Sequence, residues 1–408
     1  MRVLLSTIGS RGDVQPLVAL GLHLKTIGYE VHLCVPPDFC AWIERLEMTV
    51  TPIGPQVRST GPASPPLPPP TPKQQRQIMD GMVAMQFETI TAAAQRCDII
   101  VAATALQIAT RSVAERLGLP YIFVAYSPVV LPSAQHAPPP LPPLPGQEPL
   151  PATANNLERW ARDTQRFNAT FGAALNTLRA SLDLAPVDDV RSHIFTDRPW
   201  LAADPVLAPW PDPADQALFQ TGAWLLPDAR PLSAELEAFL DTGEPPVYFG
   251  FGSTRTPAEL SQVLIQTARA IGRRAIISQG WANLASIDNA PDCLVIGDVN
   301  LQALFKRVAA AVHHGGAGTT TLAARAGVPQ VVISQLYDQH YWGQRVRQLG
   351  IGIAHAPGTP TTNSLTNALD HVLQPSVSAQ AKSIAAALHD DGTQIAAQHL
   401  ITIASHSA

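Results

Sequence analysis

The sequence predicts an α/β protein made of two similar parallel-sheet domains in tandem. Short apolar strands alternate with helical patterns in two separate series. Each series opens with a strand that runs into a Gly-Ser turn, Gly9-Ser10 in the first and Gly252-Ser253 in the second. Between them, Pro205 to Pro213 holds four prolines and reads as a linker.

In chain order, Arg2–Thr7 (RVLLST) is a buried-strand run, and residues 15–27 place Leu17, Leu20, Leu24 and Ile27 on one helical face before Gly28 stops it. A strand at 30–35 follows, and Pro36-Pro37-Asp38 breaks the chain with Asp38 offered as the next helix N-cap. Strands at 97–102 and 120–126, with a helix ending near Gly118 between them, complete the first series. The second has strands at 246–251, 274–278, 293–296, 309–313 and 330–333. The domains are therefore expected at 1–204 and 220–385, with the linker at 205–219 and a last segment at 386–408. Nineteen of the 39 prolines fall in 52–72 and 128–151, which makes both stretches surface loops. They read either as solvent-exposed excursions or as the lips of a substrate cleft at the carboxyl ends of strands.

Composition narrows the function. The 408 residues are 46% hydrophobic and 14% charged with a net charge of −5, enough for a sizeable core and no footprint for nucleic acid. No apolar run is long enough to span a bilayer and Met1–Thr7 reads as a strand, so a cytoplasmic protein without stable membrane insertion is expected. Cys34, Cys40, Cys97 and Cys293 have no Cys-x-x-Cys spacing and read as reduced packing residues.

The strongest chemical signal is His313-His314-Gly315-Gly316-Ala317-Gly318-Thr319, which leaves a strand and enters a helix. Glycines let backbone N–H groups approach a ligand, and the helix start adds partial positive charge, a combination suited to a diphosphate. His314 could add a hydrogen bond or a charge. No lysine follows these glycines as a Walker loop requires, the dinucleotide G-x-G-x-x-G is absent, and no G-x-S-x-G or H-E-x-x-H occurs. No D-x-D pair is present to hold a divalent cation, so no metal site is expected. Two carboxylates stand at comparable turns: Asp13 in Ser10-Arg11-Gly12-Asp13, and Asp338 in Tyr337-Asp338-Gln339. By position alone each reads as a helix-capping group; for Asp338 the alternative is a carboxylate-amide pair with Gln339 that binds vicinal hydroxyls.

Taken together, RVLLSTIGSRGDVQPLVALG, Thr196–Pro205, Gln220–Trp224, Pro246–Ser253, Gly297–Phe305, HHGGAGTTTLAARAGVPQVV and DQHYWGQRV cover the whole chain. They resemble bacterial nucleotide-sugar glycosyltransferases of the GT-B fold, above all those that decorate vancomycin-class glycopeptides, with sterol glucosyltransferases more distant. The resemblance implies two Rossmann-like domains facing a central cleft, the first binding the acceptor and the second the nucleotide sugar, and a last helix crossing back. It implies Asp13 as general base, and His314 with the amides of Gly315, Gly316, Ala317, Gly318 and Thr319 on the diphosphate, helped by Ser10, Arg11, Gly12 and Ser253. Val299 would read the base, and Asp338 and Gln339 the sugar hydroxyls. The plant branch has a ribose-binding glutamate eight residues after the diphosphate histidine; Leu322 stands there, as a tolerated 2′-deoxy donor would allow.

The expected reaction is inverting, metal-independent transfer of a hexose from a UDP- or dTDP-sugar to a hydroxyl of a natural-product acceptor, with no cofactor. A sterol or lipid acceptor is the alternative; an epimerase and a non-catalytic nucleotide-sugar-binding subunit are the rivals. The expected partners are these two small molecules, and the expected assembly is a monomer or weak dimer. Met79, Met82 and Met85 fall at helical spacing, either as core packing or as an adaptable acceptor surface. Trp281 reads as a base neighbour or a structural tryptophan.

Overall fold

In the computed structural model all residues are described except 59–70, 142, 145–146, 213–216, 255–256, 258, 282–283, 289 and 408. The first sheet contains β1 (Arg2–Thr7), β2 (Glu30–Val35), β3 (Thr49–Pro52), β4 (Ile99–Ala103), β5 (Tyr121–Ala125), β6 (Trp200–Leu201) and β7 (Phe219–Gln220). The second contains β8 (Val247–Gly250), β9 (Ala275–Ser278), β10 (Cys293–Ile296), β11 (Ala310–His313), β12 (Gln330–Val332) and β13 (Gly352–Ala354). Their orders, β3-β2-β1-β4-β5-β6-β7 and β10-β9-β8-β11-β12-β13, share the doubly wound pattern. Every named pairing is parallel.

Parallel strands covered on both faces read as unbroken apolar runs, and β1 shows why. Val3 and Leu5 enter one core with Leu17 and Leu24 of the helix Arg11–Thr26, whereas Leu4 enters the opposite core with Ile90 and Val113. The second sheet is sandwiched likewise, Val247 and Phe249 facing one cluster and Tyr248 the other. A further cluster joins Phe195 and Leu207 to Val332, Trp342 and Val346, stitching the two halves together.

The structure corrects several readings. The first helix starts at Arg11, four residues before the expected start, because Ser10 and Asp13 cap it ahead of Pro16. Ile27 is its C-cap residue and 46% exposed, outside the buried face. Asp38 does not cap the helix Pro37–Glu44, whose N-cap is Pro36; its carboxylate instead accepts the Val57 and Arg58 amides at 2.7 and 3.1 Å. The proline segment expected as a linker has strands of the first sheet at both ends, so the chain leaves that sheet after Gln220.

Of the two proline-rich stretches, most of 52–72 lies outside the described residues. Val129 and Leu131 in the second are buried. The helix Gly392–Ser407 lies on the first domain, with Ala396, Ala397 and Leu400 in one core with Leu17, Val18 and Trp224. All four cysteines are free, and burial pushes the Cys34 thiol up to about 12. No helix among the described residues is long and apolar enough to cross a membrane.

Candidate active site

Doubly wound sheets bind ligands where the strand order reverses, at the carboxyl ends of the strands beside that point. Here the reversals lie between β1 and β4 and between β8 and β11. The Gly9–Asp13 turn leaves β1, the Gly252-Ser253 turn leaves β8 and the His313–Gly316 turn leaves β11, so topology brings the predicted segments to these crevices.

Asp13 is the third residue of its helix. Its Oδ2 accepts the Ser10 amide at 2.6 Å and the Ser10 hydroxyl at 3.1 Å, while Oδ1 has no hydrogen bond among the described residues. A Cβ at Gly9 would collide with this carboxylate, which is why glycine stands there. The Tyr126 hydroxyl donates to the Asp13 carbonyl at 3.1 Å. Burial raises the Asp13 pKa, with the Ser10 bonds opposing. Asp13 thus caps the helix and still offers one free oxygen. Gly12 is exposed in the same turn.

Arg11 is engaged elsewhere than expected. Its Nη1 lies 3.1 Å from Asp298 of the second domain, its Nε donates to Gln15 at 3.3 Å, and the guanidinium sits 5.2 Å over Trp42. Asp298 also pairs with Arg230 at 3.2 Å. Opposite charge, rather than the glycine turn, therefore sets the place of Arg11. Trp281 crosses the same gap and stacks on Phe39 at 6.5 Å.

The two histidines divide the work. His313 is fully buried; the Gly315 amide donates to its Nδ1 at 3.0 Å, so Nε2 carries the proton and donates to Gln330 Oε1 at 2.9 Å. His314 is half-buried between Gly252 and Gly316, where added Cβ atoms would come within 3.1 and 2.6 Å of its ring. Burial lowers its pKa to about 4, the nearby Gly250 carbonyl opposing, and Nδ1 makes no hydrogen bond. Near neutral pH it is uncharged, which leaves the hydrogen bond of the two expected contributions.

The Gly315 amide is spent on His313, which removes it from the predicted diphosphate set. Gly316 is the N-cap of the helix Ala317–Arg325 and has no side chain to cap it. The Ala317, Gly318 and Thr319 amides therefore remain open to an anion. Ser253 is half-buried beside Gly252. Val299 is half-buried against the cluster of Leu304 and Phe305, just before Asn300 caps the helix Leu301–Leu304. Leu322 packs against the same cluster. Gly315 has φ +90°, and a Cβ there would lie 2.6 Å from Val332 Cγ1 and 3.1 Å from the Gln339 carbonyl. Gly315→Ala is expected to cost about 2–3 kcal/mol; an urea midpoint equal to that of wild type would refute this.

Asp338 occupies the N-cap position of the helix Gln339–Gln348 but makes no cap bond. Its Oδ2 accepts the Trp342 indole at 2.9 Å. Burial raises its pKa to about 6, Trp342 opposing and the charge of Asp13 adding to the rise. Gln339 is mostly occupied within the fold, because its Oε1 accepts the Gln335 and Leu336 amides at 2.8 and 3.2 Å.

These shifts give a signed pH dependence. Asp338 takes up a proton as pH drops through about 6 and loses its negative charge, so a reaction that relies on that charge should lose kcat/KM there. Stability moves the other way. Folded Asp338 holds its proton more tightly than the unfolded chain, so its contribution is full below the ordinary 3.8 and lost as pH rises through about 6. Initial rates and Tm recorded across this range check both; a flat rate profile would remove the Asp338 charge from the reaction.

Beside them lies a cavity of about 210 Å³ in the first domain, walled by Leu106, Phe167, Phe171 and Phe195, with Asp163 and Arg191 at its polar side and Tyr337 from the second domain. Val130, Pro139 and Leu141 of the second proline-rich stretch also line it, so part of that loop forms a lip. Arg191 pairs with Asp163 at 2.7 Å, donates to the Val130 carbonyl at 2.6 Å and lies 4.2 Å over Phe195. A π-helical turn at Asn168–Gly172 separates the helices Asn156–Phe167 and Ala173–Ser181 and sets Phe171 beside Phe167 at 5.9 Å.

Met79, Met82 and Met85 do not line this cavity. Met79 and Met82 pack on the cluster containing Phe123 and Leu175, and Met85 on that containing Leu4 and Ile90. Tyr126, Trp342 and the aromatic walls escaped the sequence reading. Their one local signal is the spacing of Trp160, Asp163, Phe167 and Phe171 along a helical face.

Comparison with known proteins gives the family. Residues 3–134 match the glycosyltransferase family 28 N-terminal domain, and residues 262–399 the erythromycin biosynthesis protein CIII-like C-terminal domain. Three similar proteins come from Amycolatopsis orientalis. Glycosyltransferase GtfE is 49% identical over 98% of this chain and 97% of its own. The vancomycin aglycone glucosyltransferase is 45% identical over 99% and 98%, and the dTDP-epi-vancosaminyltransferase 43% identical over 94% and 93%. Among solved structures, the kitacinnamycin glycotransferase superposes with a TM-score of 0.73 at 19% identity, covering 99% of this chain and 98% of that one. With two Rossmann-like sheets and full-length likeness to these enzymes, the chain belongs to the GT-B nucleotide-sugar glycosyltransferases of the vancomycin glycopeptide class.

Proposed function

We propose that the protein transfers a hexose from a UDP- or dTDP-sugar to a hydroxyl of a glycopeptide-type natural product, with inversion and without a metal. The observation that carries this reading is the pairing of a base with an anion cradle. Asp13 Oδ1 is free in a desolvated turn at the end of β1, and the uncapped amides of Ala317, Gly318 and Thr319 stand with His314 at the end of β11.

In the proposed step the acceptor oxygen attacks the anomeric carbon, its proton passes to Asp13, and the carbon–oxygen bond to the diphosphate breaks with its electron pair on the leaving oxygen. Attack from the face opposite the leaving group turns an α-linked donor into a β-linked product. The amides, the helix start and the His314 hydrogen bond meet the leaving charge, an electrostatic contribution fixed before the reaction begins. Asp338 and the Gln339 amino group take the sugar hydroxyls in this proposal. Ser253 and Val299 flank the phosphates and base. The aromatic cavity supplies an apolar seat for the acceptor in the first domain, and contacts such as Phe39 with Trp281 hold the halves together and exclude water.

Product analysis tests the proposal. The protein is incubated with UDP-glucose or dTDP-glucose and vancomycin aglycone in the presence of a chelator. A β-linked glucoside is expected. An α-linked product removes the inverting mechanism, product only after metal addition removes metal independence, and an epimerised donor or unchanged reactants remove the transferase reading for this pair.

A further inference from the structure

Tyr337 is used by neither the diphosphate turn nor the base. It has φ +53°, a left-handed conformation that costs a tyrosine free energy glycine would avoid. The ring is half-buried and its hydroxyl has no hydrogen bond among the described residues; the turn that carries it is held by the Gln335 and Leu336 amides on Gln339 Oε1 and by the Gln339 amide on the Leu336 carbonyl at 3.2 Å, so the backbone is fixed while the phenol stays unused. It leaves the loop after β12 in the second domain, yet it lines the cavity whose other walls all come from the first. The same cavity is lined by Asp163 and Arg191 of the first domain, so the ring stands where the two halves and the acceptor seat meet.

The cavity's size limits what enters. An apolar cavity of about 150 Å³ accommodates benzene. One of about 210 Å³ has room for a single substituted aromatic ring. Phe167 and Phe171, with Phe195 beside them, offer ring faces and edges to such a group.

We propose that Tyr337 is an acceptor-positioning residue: it is the donor domain's own wall for a cavity that takes one aryl side group of a larger acceptor. The seat is complete only when the two domains are together, so acceptor recognition depends on the domain that holds the donor. This inference rests on the transferase reading above.

The test compares full-length wild type, Tyr337→Gly and Tyr337→Phe, using UDP-glucose or dTDP-glucose with vancomycin aglycone, alongside UDP affinity and Tm. In Tyr337→Gly the KM for aglycone should rise about tenfold, the loss expected for one aromatic wall, with a smaller change in kcat. Its Tm should not fall, because glycine adopts the positive φ without strain. Tyr337→Phe should keep KM within about threefold of wild type, because the ring is retained. An unchanged KM in Tyr337→Gly overturns the proposal, as does a parallel loss of UDP affinity, which would mark a general disturbance of the loop before Asp338. Equal defects in the Gly and Phe variants overturn the wall in favour of the hydroxyl. Wild type that transfers nothing to the aglycone removes the functional reading, and this inference with it.

Discussion

Asp13→Asn lowers turnover by about 10²–10⁴, the range for loss of a positioned general base, while UDP binding survives. The substitution isolates the proton transfer because an asparagine oxygen still accepts the Ser10 amide that the carboxylate accepts at 2.6 Å. Gly9 leaves space for the group, and the hydroxyl of Tyr126 bonds the backbone rather than the side chain, so neither contact depends on charge. A Tm close to wild type with turnover lost is the expected result. Near-normal turnover would remove Asp13 as the base, and lost UDP binding would show that the turn had been disturbed as a whole.

His314→Ala reaches the other reactant, and its largest effect falls on nucleotide affinity. A hydrogen bond to a charged group is worth about 1.5–3 kcal/mol, or roughly 10- to 150-fold in Kd. The imidazole is half-buried with Nδ1 unbonded, so its removal orphans no protein partner and costs the apo fold little. Without added metal, a nucleotide at about 100 times its Kd adds about 2.7 kcal/mol to the folded state. Wild type should therefore show a clear rise in Tm with UDP or dTDP, and His314→Ala at the same concentration a much smaller one. Equal shifts would take the histidine off the diphosphate.

What could be read from the chain depended on how local the cause was. β1 and β11 were legible because strands buried on both faces are continuous apolar runs ended by glycine. The start of the first helix was not, because Gly12 and Pro16 look like breakers until the Ser10–Asp13 contact is known. The diphosphate turn was readable as a motif. That the Gly315 amide belongs to His313, and the Gln339 oxygen to Gln335 and Leu336, depends on which way side chains face. Arg11 carried the right charge for a phosphate, but Asp298 meets it first, and these residues approach only in the folded chain. The acceptor seat was least legible: Leu106, Phe167, Phe195 and Tyr337 come from four separate segments, while the compact methionine group beckoned from one helix and proved to be packing.

The helix Gly392–Ser407 bears on how the protein is made. Ala396, Ala397 and Leu400 are part of the core that Leu17, Val18 and Trp224 begin, and His399 lies against Phe219 at 4.2 Å. A ribosome must therefore finish the whole second domain before the first can be sealed. At translation rates of about 5–20 residues per second, the wait between β7 and this helix is roughly 10–40 s. Throughout it the nascent chain presents an apolar face of the first helix, so chaperone demand and aggregation should concentrate there.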